Sequence, residues 1–226
     1  NSTGGLEAET SDATNIGLIW SPSFADFRIS VDYFQINVEG QIAQLGAGTV
    51  VAGCYNSDNF ATEPLCDLFT RNPQNNLIET VTDNFINIAA HSTSGIDVQA
   101  TYSRDFSFGT LTMDTQHTFT SDNEFQLLPT STPQDSTGEA GRPEWVGEVS
   151  ATLERGPWSL FWGVDFIGET SNEKSFGGNT GSYFGNPVTF KLDTEQTTYH
   201  NVSLARELPF DITVRVGVSN LFDETP

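Results

Sequence analysis

Lysine is almost missing from this chain. Lys174 and Lys191 are the only two in 226 residues, and nine Lys and Arg together face 30 Asp and Glu. The formal net charge of −21 excludes a nucleic-acid binder, because phosphate backbones reward clusters of Lys and Arg. It argues equally against an arginine-rich surface for acidic lipids. The acidity reads first as solubility or adaptation to salty water, since net charge informs solubility more than fold. A cation-attracting interior is the alternative. Long apolar runs are missing too: no stretch of about 18 apolar residues occurs, which excludes a transmembrane helix. A barrel strand, however, crosses a bilayer with about 9–11 residues that are apolar on one face alone. Ordinary hydropathy therefore does not exclude a membrane-spanning sheet. The start lacks a charged segment followed by an apolar core. Asn1-Ser2-Thr3-Gly4-Gly5 opens like a loop, as in a processed chain or a fragment.

Cysteine is limited to Cys54 and Cys66, in a polar, loop-like stretch with no histidine between or beside them. Two ligands cannot close a structural zinc site. An even pair in an exported protein reads as one disulfide, with two unrelated buried thiols as the alternative. The histidines His91, His117 and His200 are too scattered for metal spacing, and a polar wall position is expected for each. The Gly-rich run Phe176-Gly177-Gly178-Asn179-Thr180-Gly181 lacks the Lys-Ser/Thr and the helix of a phosphate cradle and reads as an outer loop. No Gly-x-Ser-x-Gly elbow occurs. Neither a cofactor nor a metal site is expected, and no enzyme chemistry.

What is present is period-two alternation, with little helical periodicity. Trp158, Leu160, Trp162, Val164 and Phe166 interleave with Ser159, Gly163 and Asp165. Ile212, Val214, Val216 and Val218 alternate with Thr213, Arg215, Gly217 and Ser219, and Val149, Ala151 and Leu153 with Glu148, Ser150, Thr152 and Glu154. Residues 84–102 keep one phase, with Ile86, Ile88, Ala90, Ile96, Val98, Ala100 and Tyr102 at even positions, which predicts a single long strand. Soluble sheets average about 5–6 residues per strand. Weaker strands are expected near 13–21, 27–39, 108–121 and 196–207, the second with a bulge after Tyr33. The expectation is therefore an all-β, antiparallel meander of about eight strands, part of a large transmembrane β-barrel. Its connections alternate, short at 22–26, 104–107, 155–157 and 208–210, long at 40–80, 122–142 and 170–195. Short turns on one rim and long loops on the other are the habit of outer-membrane barrels. Tyr33, Phe34, Trp145, Trp158, Phe161 and Phe166 fall toward presumed strand ends, where headgroups favour aromatics; core packing is the alternative.

Four segments resemble one family. Gly217-Val218-Ser219-Asn220-Leu221-Phe222-Asp223-Glu224-Thr225-Pro226 is similar to the penultimate-strand motif of TonB-dependent receptors. Thr93-Ser94-Gly95-Ile96-Asp97-Val98 resembles their Gly-Val/Ile-Asp/Glu segment in a long descending strand. Gly53-Cys54-Tyr55, with Cys66 and Arg71, resembles the outer loop of one subgroup, and Gly141-Arg142-Pro143-Glu144-Trp145 with Gly156-Pro157-Trp158-Ser159-Leu160 its next hairpin. The resemblance implies a plugged barrel of about 22 strands in the outer membrane of a Gram-negative bacterium. It implies import of a scarce nutrient, such as a metal chelate, a corrinoid or an oligosaccharide, with energy from the TonB complex. Nothing here resembles the plug, the segment that engages TonB or the last strand. The chain is thus expected to be the last third of a receptor, unable to close a barrel alone. Outer-membrane lipid is an expected partner. With apolar residues toward lipid, Asp97, Asp114, Glu148, Glu154 and Asp165 are expected to face the lumen, with Arg215 as a rare counter-charge. An eight-stranded barrel enzyme and a β-sandwich adhesion module are the rival readings.

Overall fold

The computed structural model describes residues 5–129 and 131–225, so the loop-like opening at residues 1–4 and Pro226 lie outside the described residues. Eight long strands form where alternation predicts them. They are β1 (Thr10–Trp20), β2 (Phe27–Gln44), β3 (Phe85–Phe106), β4 (Gly109–Gln126), β5 (Trp145–Arg155), β6 (Trp158–Ile167), β7 (Thr197–Leu208) and β8 (Ile212–Val218). Each neighbours the next in one antiparallel meander, with the two-residue strand Gln134–Asp135 added beside β4. One meander of this kind is not the paired, Greek-key sheets of a sandwich. Among the described residues the path has two ends, β1 and β8. At 22 residues, β3 is longer than a bilayer requires: at about 3.3 Å per residue it spans about 70 Å.

The short turns have local causes. Arg155 pairs with Trp158 across a two-residue turn. Gly156 takes φ 55°, which a hairpin's first turn position demands, and the fixed φ of Pro157 suits the second. Leu208 pairs with Ile212 around a tight turn in which Phe210 and Asp211 both adopt positive φ.

The chain divides into two units, Asn1–Ala13, Ile36–Thr93 and Asn123–Asp135 in one, and Thr14–Gln35, Ser94–Asp122 and Ser136–Pro226 in the other. The first holds a small apolar core of Leu45, Val50, Cys54, Leu65 and Leu128, packed by Phe69, Val81, Ile86 and Ile88. Its helix α1 (Ala47–Asn56) was not legible in the sequence, which the strand periodicity elsewhere had dominated. The second unit holds the paired ladder of β4–β8.

Candidate functional site

Direct pairing across an antiparallel ladder puts two side chains on the same face, so register sorts residues without reference to any surroundings. Glu148 pairs with Asp165 and with Gln116, Ser150 with Gly163 and Asp114, and Glu154 with Ser159 and Thr110. On β7, Ala205 pairs with Ser159 and Arg215. Asp97 joins the same face because it accepts from Thr118 Oγ1 at 2.6 Å, and Thr118 shares parity with Gln116. All six charged residues expected at one wall, Asp97, Asp114, Glu148, Glu154, Asp165 and Arg215, thus share one face of the sheet.

That face is held by neutral donors. Thr101 Oγ1 donates to Asp114 at 2.9 Å, Thr110 Oγ1 to Asp105 at 2.6 Å, and Asn201 Nδ2 to Asp165 at 2.8 Å. Arg215 stands opposite Ala205, and no ion pair joins it to the five carboxylates among the described residues. Phe161 also lies on this face, paired with Thr152 and Ser203, its ring over Gly163. The aromatic grouping expected at strand ends loses Phe161 for that reason.

The opposite face carries Trp158, Leu160, Trp162, Val164 and Phe166, the row Val149, Ala151 and Leu153, and Ile212, Val214, Val216 and Val218. Toward the long-loop end, Phe119, Trp145 and Phe166 stack in a row, with centroids 6.1 and 5.5 Å apart. His117 and His200 belong to this apolar face, which corrects the polar wall position expected for them. His117 Nδ1 accepts from Trp145 Nε1 at 3.1 Å, and its Nε2 meets Thr115 Oγ1 at 2.8 Å. Thr115 passes its own hydrogen to the Glu148 carbonyl. Every polar atom of the ring is satisfied, so an apolar setting costs it little. His200 stacks on Trp162 at 5.9 Å and meets Phe222 edge-on at 4.9 Å. His91 hydrogen-bonds Asn123. Among the described residues no group of His, Cys, Asp and Glu could hold a metal.

A cleft of about 660 Å³ opens at the long-loop ends of β5, β6 and β7, edged by Glu144, Trp145, Glu169, Asp193 and Glu195. Its carboxylates repel anions. Sequence reasoning missed this group because its members come from two loops, and within the second from its two distant ends, without a shared motif. In the other unit, Cys54 and Cys66 are bonded, with an S–S distance of 2.06 Å. A Cβ on the neighbouring Gly53 would fall 2.5 Å from Leu65 Cδ1, so a side chain there would displace that leucine. Arg71 donates to the Asn76 carbonyl and to the Tyr55 hydroxyl, its guanidinium 5.6 Å from the Phe69 ring.

A β-meander with one polar and one apolar face and a long, disulfide-tied excursion has a counterpart among protein families. The family described as TonB dependent receptor-like, beta-barrel matches residues 1–221. The chain belongs to this TonB-dependent receptor family. No curated relative matches it. Among solved structures it is similar to the ferric enterobactin receptor (PfeA) of Pseudomonas aeruginosa in complex with BCV-L6, with TM-score 0.61 and 15% identity, covering 96% of this chain and 26% of that one. It is also similar to the FrpB iron transporter (F3-3 variant) of Neisseria meningitidis, with TM-score 0.58 and 13% identity, over 96% and 28%. The chain therefore spans about a quarter of the length of these structures, and at such identity the likeness speaks for fold alone.

In this receptor segment the family-like motifs have structural duties. Asn220 adopts φ 48°, donates from Nδ2 to the Glu224 carbonyl and accepts from Glu224 N–H, closing the turn after β8. Its own N–H donates to Asn201 Oδ1, which ties that turn to β7. Gly95 in the Gly-Ile-Asp segment leaves room for Phe34, whose Cζ would lie 2.7 Å from an added Cβ.

Proposed function

We propose that this segment forms part of the wall of an outer-membrane receptor that binds a scarce nutrient and imports it with TonB-supplied energy. The observation that carries the reading is the segregation of faces. Asp97, Asp114, Glu148, Glu154, Asp165 and Arg215 share one face, while β5, β6 and β8 set only apolar side chains, glycine and Arg155 on the other. A sheet of that kind suits hydrocarbon on one side and a wet passage on the other, because a carboxylate in hydrocarbon costs several kcal/mol. The polar face is thus the lumen wall. The disulfide-tied excursion belongs with the long loops, on the extracellular side, where ligand is met. The similar structures, a ferric enterobactin receptor and an iron transporter, favour an iron chelate among the nutrient classes. Contact with TonB and the plug would come from receptor residues outside this segment.

Single cysteines at Glu148 and Val149, placed in a receptor whose native pair is kept bonded, test the wall. In outer membranes, position 148 should react with a small water-soluble maleimide and position 149 should not. Position 149 should instead be reached by a lipid-soluble spin quencher. Equal reaction at both positions would reject a membrane-spanning wall.

A further inference from the structure

The register separates charge more sharply than composition suggests. Over the paired positions of β4–β8, the acidic residues Asp114, Glu148, Glu154, Asp165 and Glu207 all lie on the polar face. Arg155 and Arg206 lie on the apolar face, because each pairs directly with Trp158. All three stand at the short-turn rim and are exposed. The Arg206 guanidinium lies 4.8 Å from the Trp158 ring. One hairpin away Arg104 repeats the arrangement, 5.3 Å from the ring of Phe106. Its neighbours Thr101 and Ser103 bond Asp114 and Thr112 on the polar face, so alternation turns Arg104 the other way. Gly109, whose Cβ would sit 3.4 Å from that of Arg155, leaves the flank of that arginine uncovered. Among the described residues none of the three arginines makes an ion pair. In a chain with nine cations and a net charge of −21, three unpaired arginines interleaved with aromatics on an apolar rim call for an anion from outside the protein.

We propose that this rim binds the phosphate of anionic phospholipids, with Arg155 and Arg206 gripping one headgroup on either side of Trp158. The inference rests on the reading that the apolar face meets lipid. Short turns of outer-membrane barrels face the periplasm, so the leaflet concerned is the phospholipid one. Aromatic rings settle at the headgroup level, and an arginine held over such a ring keeps its N–H fork free for phosphate oxygens. Electrostatic attraction to an anionic surface is then local and directed, although the whole chain is acidic.

The test uses the whole receptor that carries this segment, reconstituted in nanodiscs of phosphatidylcholine with phosphatidylglycerol. Bound lipid is counted by native mass spectrometry after release. Wild type should retain phosphatidylglycerol in preference to phosphatidylcholine. Arg155→Gln with Arg206→Gln should weaken that preference by about fivefold for each arginine removed. Arg155→Lys with Arg206→Lys should keep part of it, and Arg142→Gln, in a long loop, should keep all of it. If the double Gln variant does not fold, judged by heat-modifiable migration, Arg206→Gln alone is read. No preference in wild type, or an undiminished preference in a folded Gln variant, overturns the proposal. A receptor that does not enter bilayers at all would instead overturn the membrane reading on which it rests.

Discussion

The imidazole of His117 occupies the place where a side chain on residue 147 would stand: a Cβ on Gly147 would meet His117 Nδ1 at 1.9 Å. The two residues are direct partners across β4 and β5. The absent side chain lets the ring lie flat enough for Trp145 Nε1 to donate to it and for Phe166 to approach to 6.0 Å. Gly147→Ala should push the ring out, break the Trp145 bond and lower stability by about 1–3 kcal/mol. Gly48→Ala, where an added methyl meets nothing within 4 Å, should be neutral or stabilising by up to about 1 kcal/mol. Denaturant unfolding of the receptor in micelles separates the two, and equal stability of Gly147→Ala and wild type would contradict the packing described.

Removing the disulfide should loosen one unit and spare the other. Cys54 and Cys66 close a short loop, worth about 3 kcal/mol in the chain-entropy model. They tie α1 to the turn at Pro64–Leu68 over the Leu45, Val50 and Leu128 core. Cys54→Ala with Cys66→Ala should make residues 46–69 much more sensitive to limited proteolysis while β4–β8 stay protected. Loss of protection throughout β4–β8 would show that the loop's order is needed by the sheet.

Glu148 and Asp165 are carboxylates paired directly across β5 and β6. Like charges in that position oppose each other by about 0.2–1 kcal/mol. Of the two, only Asp165 has a side-chain donor among the described residues, Asn201. Glu148→Gln should therefore stabilise the receptor by up to about 1 kcal/mol at neutral pH and low salt, with the gain shrinking as salt rises. A loss of stability on this substitution would mean that Glu148 is held by a positive group elsewhere in the receptor.

Asn220 can be tested against two replacements. Ala should lose both turn bonds and also meet the strain of a positive φ, which costs a residue with a Cβ about 1–2 kcal/mol. Gly should lose the bonds alone. The order of stability in thermal unfolding should be Asn, then Gly, then Ala. Ala equal to or above Gly would remove backbone conformation from the explanation.

Strand positions and strand faces were legible in the sequence because the pleat has a period of two and each strand here is apolar on one side. Trp158 to Phe166 and Ile212 to Val218 needed no partner to reveal their phase. The rhythm of turns was equally legible, since Gly156-Pro157 and the long polar stretches are local signals. Other features depended on which chains meet. Helix α1 is short and built largely of small residues, and its buried face of Val50, Gly53 and Cys54 is held by Leu65, Leu128 and a covalent bond. His117 and His200 look polar in a sequence, yet on the apolar face their neighbours are Trp145, Thr115, Trp162 and Phe222. The arginine rim was hidden for a similar reason. A net charge sums over both faces of a sheet, and only the cross-strand register shows that the acids lie on one face while Arg155 and Arg206 stand with Trp158 on the other.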